Sequence, residues 1–113
     1  FMAAVYDLFI DQGSDSITEI VIKTDDGYVV DLTDYNVSAQ FRKYPGASTY
    51  HTLLCEKIGS PINGVISVSL PGSTSSLIKA GRYLYDVEIF NSINNTKLRV
   101  LQGTLDLSPE ITR

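Results

Sequence analysis

Apolar and polar positions alternate along much of this chain with a period of two, the spacing of a strand that buries one face and wets the other. Tyr83, Tyr85, Val87 and Ile89 share one parity, while Arg82, Asp86 and Glu88 take the other. Val37, Ala39 and Phe41 alternate with Asn36, Ser38, Gln40 and Arg42, so 36–43 reads as a strand with one wet face. Between Leu98 and Leu107 apolar residues fall on both parities, which predicts a strand in the interior of a sheet. Further strands are predicted at 6–10, 17–23, 28–31, 50–58 and 65–70, all rich in β-branched and aromatic residues.

Turn signals separate these runs. Gln12-Gly13-Ser14, Asp25-Asp26-Gly27, Pro45-Gly46, Asn63-Gly64 and Asn94-Asn95 supply residues that tolerate positive φ or pre-set a turn. The one helical signal lies at 73–79. There Ser73 is placed to cap the first amides, Leu77 and Ile78 to pack inward, and Gly81 to take a left-handed stop. At about two turns it can carry the chain between sheets but is too short to link parallel strands as a crossover helix. No internal repeat is visible. Short strands punctuated this regularly predict an all-β sandwich or barrel.

With 113 residues the chain is expected to form a single domain over 2–113, Phe1 being left out of the fold argument. Apolar residues make up 43 % and charged residues 19 %, a balance that supports a core and argues against wholesale disorder. Thirteen acidic residues against nine basic ones give a net charge of −4, the wrong sign for displacing counterions from nucleic-acid phosphates. No stretch approaches the roughly 20 apolar residues needed to cross a bilayer, so membrane insertion is not expected. The opening residues lack a basic leader, and synthesis in the cytoplasm is the expectation.

Candidate chemistry is sparse. Cys55 is the single cysteine and His51 the single histidine, which excludes an internal disulfide and a tetrahedral Cys/His zinc site. His51 and Cys55 lie on one parity of a predicted strand, roughly 13 Å apart at about 3.3 Å per residue, too far for direct proton transfer. Asp25-Asp26 and the pair Asp31 and Asp34 suggest weak calcium binding, but no EF-hand pattern surrounds them. A hairpin turn at Asp25-Asp26-Gly27, and a capped corner at Asp31-Leu32-Thr33-Asp34 with Leu32 and Tyr35 as plugs, explain them better. Gly-Ser-Thr at 72–74 lacks the lysine of a phosphate loop. An enzyme is not expected, and neither is a cofactor or a resident metal. Tyr83 and Tyr85 share a parity with Val87 and Ile89 and belong to the core, whereas Tyr44 and Tyr50 flank a turn as candidate exposed contacts.

Several stretches in order resemble a known family. They are Met2-Ala3-Ala4-Val5-Tyr6-Asp7-Leu8 leading into Asp11-Gln12-Gly13-Ser14-Asp15, Asp31-Leu32-Thr33-Asp34-Tyr35, Val37-Ser38-Ala39-Gln40-Phe41-Arg42-Lys43, and Gly64-Val65-Ile66. Ala80-Gly81-Arg82-Tyr83-Leu84-Tyr85-Asp86-Val87-Glu88 and Arg99-Val100-Leu101-Gln102-Gly103-Thr104 follow, before the tail Ser108-Pro109-Glu110-Ile111-Thr112. Together they resemble small immunoglobulin-like virion proteins of tailed bacteriophages, including cyanophages, and the first domain of baseplate upper proteins. The resemblance spans nearly the whole chain, and its pieces are fold signatures. It departs at Asp34, where the family usually carries Gly, and a modest local change of turn is the expected result.

The resemblance implies an immunoglobulin-like β-sandwich of about 7–8 strands. It further implies a structural module of the tail, baseplate or neck, located in the virion, docked on other virion proteins, with no catalytic residues to carry over. Sheet edges offer unpaired N–H and C=O groups that a partner or a second copy can complete. The favoured docking strand lies within 2–10, with Val5, Tyr6, Leu8, Phe9 and Ile10 as its contact residues. The alternative is a carbohydrate-binding module for host surface glycans, with Tyr44 and Tyr50 as its platform.

Overall fold

The structure, a computed structural model, describes residues 4–111. The strands are β1 Ala4–Val5, β2 Leu8–Asp11, β3 Ser16–Val21, β4 Tyr35–Arg42, β5 His51–Lys57, β6 Val65–Leu70, β7 Gly81–Asn91 and β8 Thr96–Ser108. One helical turn, α1 Gly72–Ser75, and a 3₁₀ turn at Pro61–Asn63 complete the elements. They build the expected immunoglobulin-like sandwich. Its hydrogen-bonded path runs β1-β8-β7-β4-β5-β6-β3, with β2 joining β8 beside β1.

The path folds over at β5. His51, Thr52 and Leu53 pair with Phe41, Gln40 and Ala39 of β4, and from Leu54 to Lys57 the same strand pairs with Ser69 to Ile66 of β6. One strand therefore serves both layers. Phe41, Leu32, Ile66, Leu70, Val87, Ile89, Leu105 and Leu107 are fully enclosed between them, each such side chain contributing roughly 1.5–3 kcal/mol on leaving water. Tyr83 and Tyr85 are buried as their parity predicts, and Tyr83 meets Phe41 edge-on at 5.2 Å.

The doubled parity of β8 has a local cause. A bulge shifts its register opposite Val87 and Glu88 of β7, which face Leu101 and Arg99 respectively. Val100 is the extra residue, and the inward parity changes there from Leu98 and Val100 to Leu101, Leu105 and Leu107. The strand does lie between neighbours, β7 on one side and β1 and β2 on the other. Its outer face is nonetheless not apolar, and the sequence pattern reflects the bulge and not burial on both sides.

Four sequence expectations need correction. Residues 28–31 form no strand: Val29 makes a single bridge to Lys23, and the chain then leaves the sheet as Leu32 N–H donates to the Pro61 carbonyl. The helical turn ends at Ser75, and Leu77 points into solvent at 87 % exposure, while Ile78 does pack inward. Ser73 does not cap it. The Gly72 amide is instead taken by the Asp15 carboxylate at 2.7 Å, and the Gly13 amide bonds to the buried Ser75 hydroxyl at 2.9 Å, so the crossover is pinned by a distant loop. Gly81 opens β7 at φ 151° and is no left-handed stop.

The N-terminal strands run parallel to β8 in one register, Ala4 beside Leu101 and Leu8 beside Leu105. Between them, Tyr6 and Asp7 pass Gly103 and Thr104. Tyr6 N–H still donates to the Gln102 carbonyl, but the Thr104 amide is taken by the Asp7 carboxylate at 3.0 Å, a side chain standing in for a backbone acceptor. The Tyr85 hydroxyl donates to the Tyr6 carbonyl from the neighbouring strand. Burial first, then the Asp7 charge, pushes that phenol well above the ordinary tyrosine range, so it stays a donor. A Cβ at Gly103 would collide with the Tyr6 carbonyl oxygen. Gly103→Ala is expected to lower stability by about 1–3 kcal/mol through overpacking. Tyr85→Phe should cost about 1 kcal/mol through the lost bond. Urea unfolding of each variant measures both, and an unchanged midpoint for Gly103→Ala contradicts the close approach.

Candidate functional site

The residues foreseen as a docking strand divide into two sets. Leu8 and Ile10 are buried in the domain's own core, and the Tyr6 carbonyl is held by Tyr85. Val5 and Phe9, by contrast, stand 71 % and 76 % exposed, on strands that among the described residues pair only with β8 and leave their other backbone edge free. The alternation is that of an edge strand whose inward residues are spent on folding and whose outward residues are available for contact.

The solvent face of the β1-β8-β7-β4 layer carries a groove of about 640 Å³. Register sets its floor, because Gln102, Asp86 and Gln40 lie side by side across β8, β7 and β4, and Thr104, Leu84 and Arg42 form the next row. Six of the charges on this face form three ion pairs. Arg99 reaches Asp86 at 3.2 Å, Lys97 reaches Glu88 at 3.7 Å, and Arg82 bonds Asp106 at 2.9 Å. As exposed pairs they set the pattern of the face more than its stability.

At one end the groove meets the loop that joins β4 to β5. Tyr44 is 61 % exposed and lines the groove with Pro45 and Gly46. Arg42 organises this end: its Nη1 donates to the Ala47 carbonyl at 2.7 Å, and its guanidinium lies 5.0 Å over the Tyr50 ring. One face of Tyr50 is thus occupied, and of the two tyrosines foreseen as exposed contacts Tyr44 is the freer.

The remaining candidates stay apart. The His51 ring packs against Phe41 at 5.0 Å and Tyr83 at 6.1 Å, far along β5 from Cys55. Burial, then the neighbouring Glu56, pushes the Cys55 thiol up to about 11, the opposite of an activated nucleophile. Asp31 accepts from both the amide and the hydroxyl of Thr33, and the hydroxyl bond first, then the amide, hold its carboxyl below the usual range. Lys57 Nζ donates to the Leu32 and Tyr35 carbonyls, which closes the corner around the fully buried Leu32. Asp25 and Asp26 sit in a hairpin turn, where Gly27 takes φ 87° and its amide bonds the Thr24 carbonyl. Among the described residues no three His, Cys, Asp or Glu side chains gather in a way that could hold a metal ion, and no helix is long and apolar enough to cross a membrane.

No family model matches the sequence, and no curated protein does. Among solved structures the chain is similar to InlP of Listeria monocytogenes, with a TM-score of 0.44 at 12 % identity, over 96 % of this chain and 28 % of that one. It is also similar to a family 123 glycoside hydrolase from Clostridium perfringens, with a TM-score of 0.39 at 9 % identity, over 96 % of this chain and 23 % of that one. The chain thus spans less than a third of either protein.

Sequence reading did not find the groove, because it is assembled from outward residues of four strands and needs the register. Neither did it find that Lys43 and His51, from either end of one loop, line a hollow with Lys79 and Tyr83, from a segment about 30 residues further on. Cys55 should alkylate slowly at neutral pH, and the rate should climb with pH toward about 11 as the thiolate forms. A pH series with iodoacetamide measures this, and fast modification at pH 7 contradicts the burial described.

Proposed function

We propose that this chain is an assembly module of a tailed-phage virion, docked on a neighbouring virion protein through its N-terminal edge. Phe9 carries the reading: a large aromatic side chain stands about three-quarters exposed on an edge strand, with Val5 similarly exposed four positions earlier along the same edge. Such a pair is costly in water and useful at an interface, where aromatic anchors supply much of the binding free energy. The sequence resemblance to small virion proteins supports the same role. The free backbone edge of β1 and β2 offers the partner a strand to pair with.

Removing 2–10 outright is a poor test, since it would strip Leu8 and Ile10 from the core. The double substitution Val5→Ser and Phe9→Ser leaves those residues in place and should keep the unfolding midpoint within error of the parent. In particles assembled with that variant, its abundance by quantitative mass spectrometry should fall by at least about tenfold, the loss expected from truncating an interface anchor. Incorporation at the parental level overturns the reading.

The groove favours a second reading, a glycan-binding module. Its Gln40 and Gln102 amides and the open Tyr44 ring are the groups with which proteins hold a sugar, donors and acceptors beside a flat apolar face. Saturable binding on a glycan array that disappears with Tyr44→Ala selects this reading, and a blank array removes it.

A further inference from the structure

A second hollow, of about 360 Å³, opens on the other side of Tyr44, between the β4–β5 loop and the segment leading into β7. Lys43, Tyr44, Ala47, Ser48, Thr49, His51, Lys79 and Tyr83 form its wall. Two lysines line it and no acidic residue does. That is the reverse of the chain as a whole, in which 13 acidic residues outnumber nine basic ones.

The other basic side chains are largely engaged. Arg82, Lys97 and Arg99 pair with carboxylates across β7 and β8, and Arg42 and Lys57 donate to backbone carbonyls. Among the described residues neither Lys43 nor Lys79 has a carboxylate within ion-pair distance. Both are anchored to the same ring. Lys43 Nζ lies 5.0 Å over the centroid of Tyr83, and the Tyr83 hydroxyl donates to the Lys79 carbonyl, which fixes the backbone from which the second lysine projects. His51 stands edge-on to that ring, adding an imidazole that can donate. Tyr44, Ser48 and Thr49, each bearing a hydroxyl, also line it.

Like charges held on one wall without a counter-charge create a local positive potential, and an anion with several acceptor oxygens relieves it. We propose that this hollow is a binding site for a phosphate or sulfate group, taken by Lys43, Lys79 and His51 with the loop hydroxyls. The site stands independently of the docking edge, which lies on the N-terminal strands. A free oxyanion and an ester carried on a saccharide share this chemistry.

The test is a titration of the isotope-labelled full chain by NMR at fixed low ionic strength, using inorganic phosphate, inorganic sulfate, glucose 6-phosphate and glucose, with chloride as the balancing salt. Saturable shifts confined to 43–51 and 79–83 are expected from phosphate or sulfate. Lys43→Gln and Lys79→Gln should each weaken binding by about tenfold, the size of one lost charge-assisted bond, while Lys23→Gln leaves it unchanged. Tighter binding of glucose 6-phosphate than of phosphate supports the site and assigns it to an ester on a sugar. Equal binding supports it and assigns it to the free oxyanion. Shifts that chloride or glucose reproduces, that do not saturate, or that survive both lysine substitutions overturn the proposal.

Discussion

A sheet that folds back on itself must keep its backbone hydrogen bonds satisfied at the fold, and in this chain that burden falls on β5. By changing partner between Leu53 and Leu54 the strand joins the two layers without an unpaired stretch. The core depends on this, because Phe41 and Leu53 on one side of the switch and Ile66 and Val68 on the other are brought face to face only when the strand bends there. The surface depends on it too. The loop before β5 is held where Arg42 can grip Ala47, and His51 is delivered beside Tyr83.

Much of this was legible as period-two alternation. The 65–70 run matches β6, and 36–43 differs from β4 by one residue at each end. All five turn signals fall between strands, because glycine at positive φ and asparagine in the hairpin before β8 leave few alternatives for the backbone. What escaped had non-local causes. The bulge at Val100 looks in one dimension like a doubly buried strand, since the pattern alone does not tell a change of parity from apolar residues on both faces. The helical turn looked as though it would be capped by its own Ser73, whereas Asp15 does so from 57 positions away. Candidate sites were harder still. Tyr44 and the N-terminal strand were visible as residues, but which of their neighbours were spent on folding required the partners across the sheet.

The surface is divided by chemical character. Across β7 and β8, acid and base alternate and cancel, giving a face with charge but little net field. The N-terminal edge sets exposed Val5 and Phe9 among Asp7 and Asp11, and the hollow beside the β4–β5 loop gathers lysines. Three neighbouring regions of a small sandwich thus differ in what they attract, although the layer beneath them is one continuous set of strands.

The parallel run of β1 and β2 along β8 also has a mechanical meaning. Tension that draws the start of the chain and the far end of β8 apart pulls along these strands in opposite directions. Their hydrogen bonds are then loaded together, in shear, and do not peel open one after another. The Asp7 and Tyr85 tethers at the midpoint share that load. A domain fastened in this way can carry strain along its length, as a lap joint does, without relying on the hydrophobic interior to hold first.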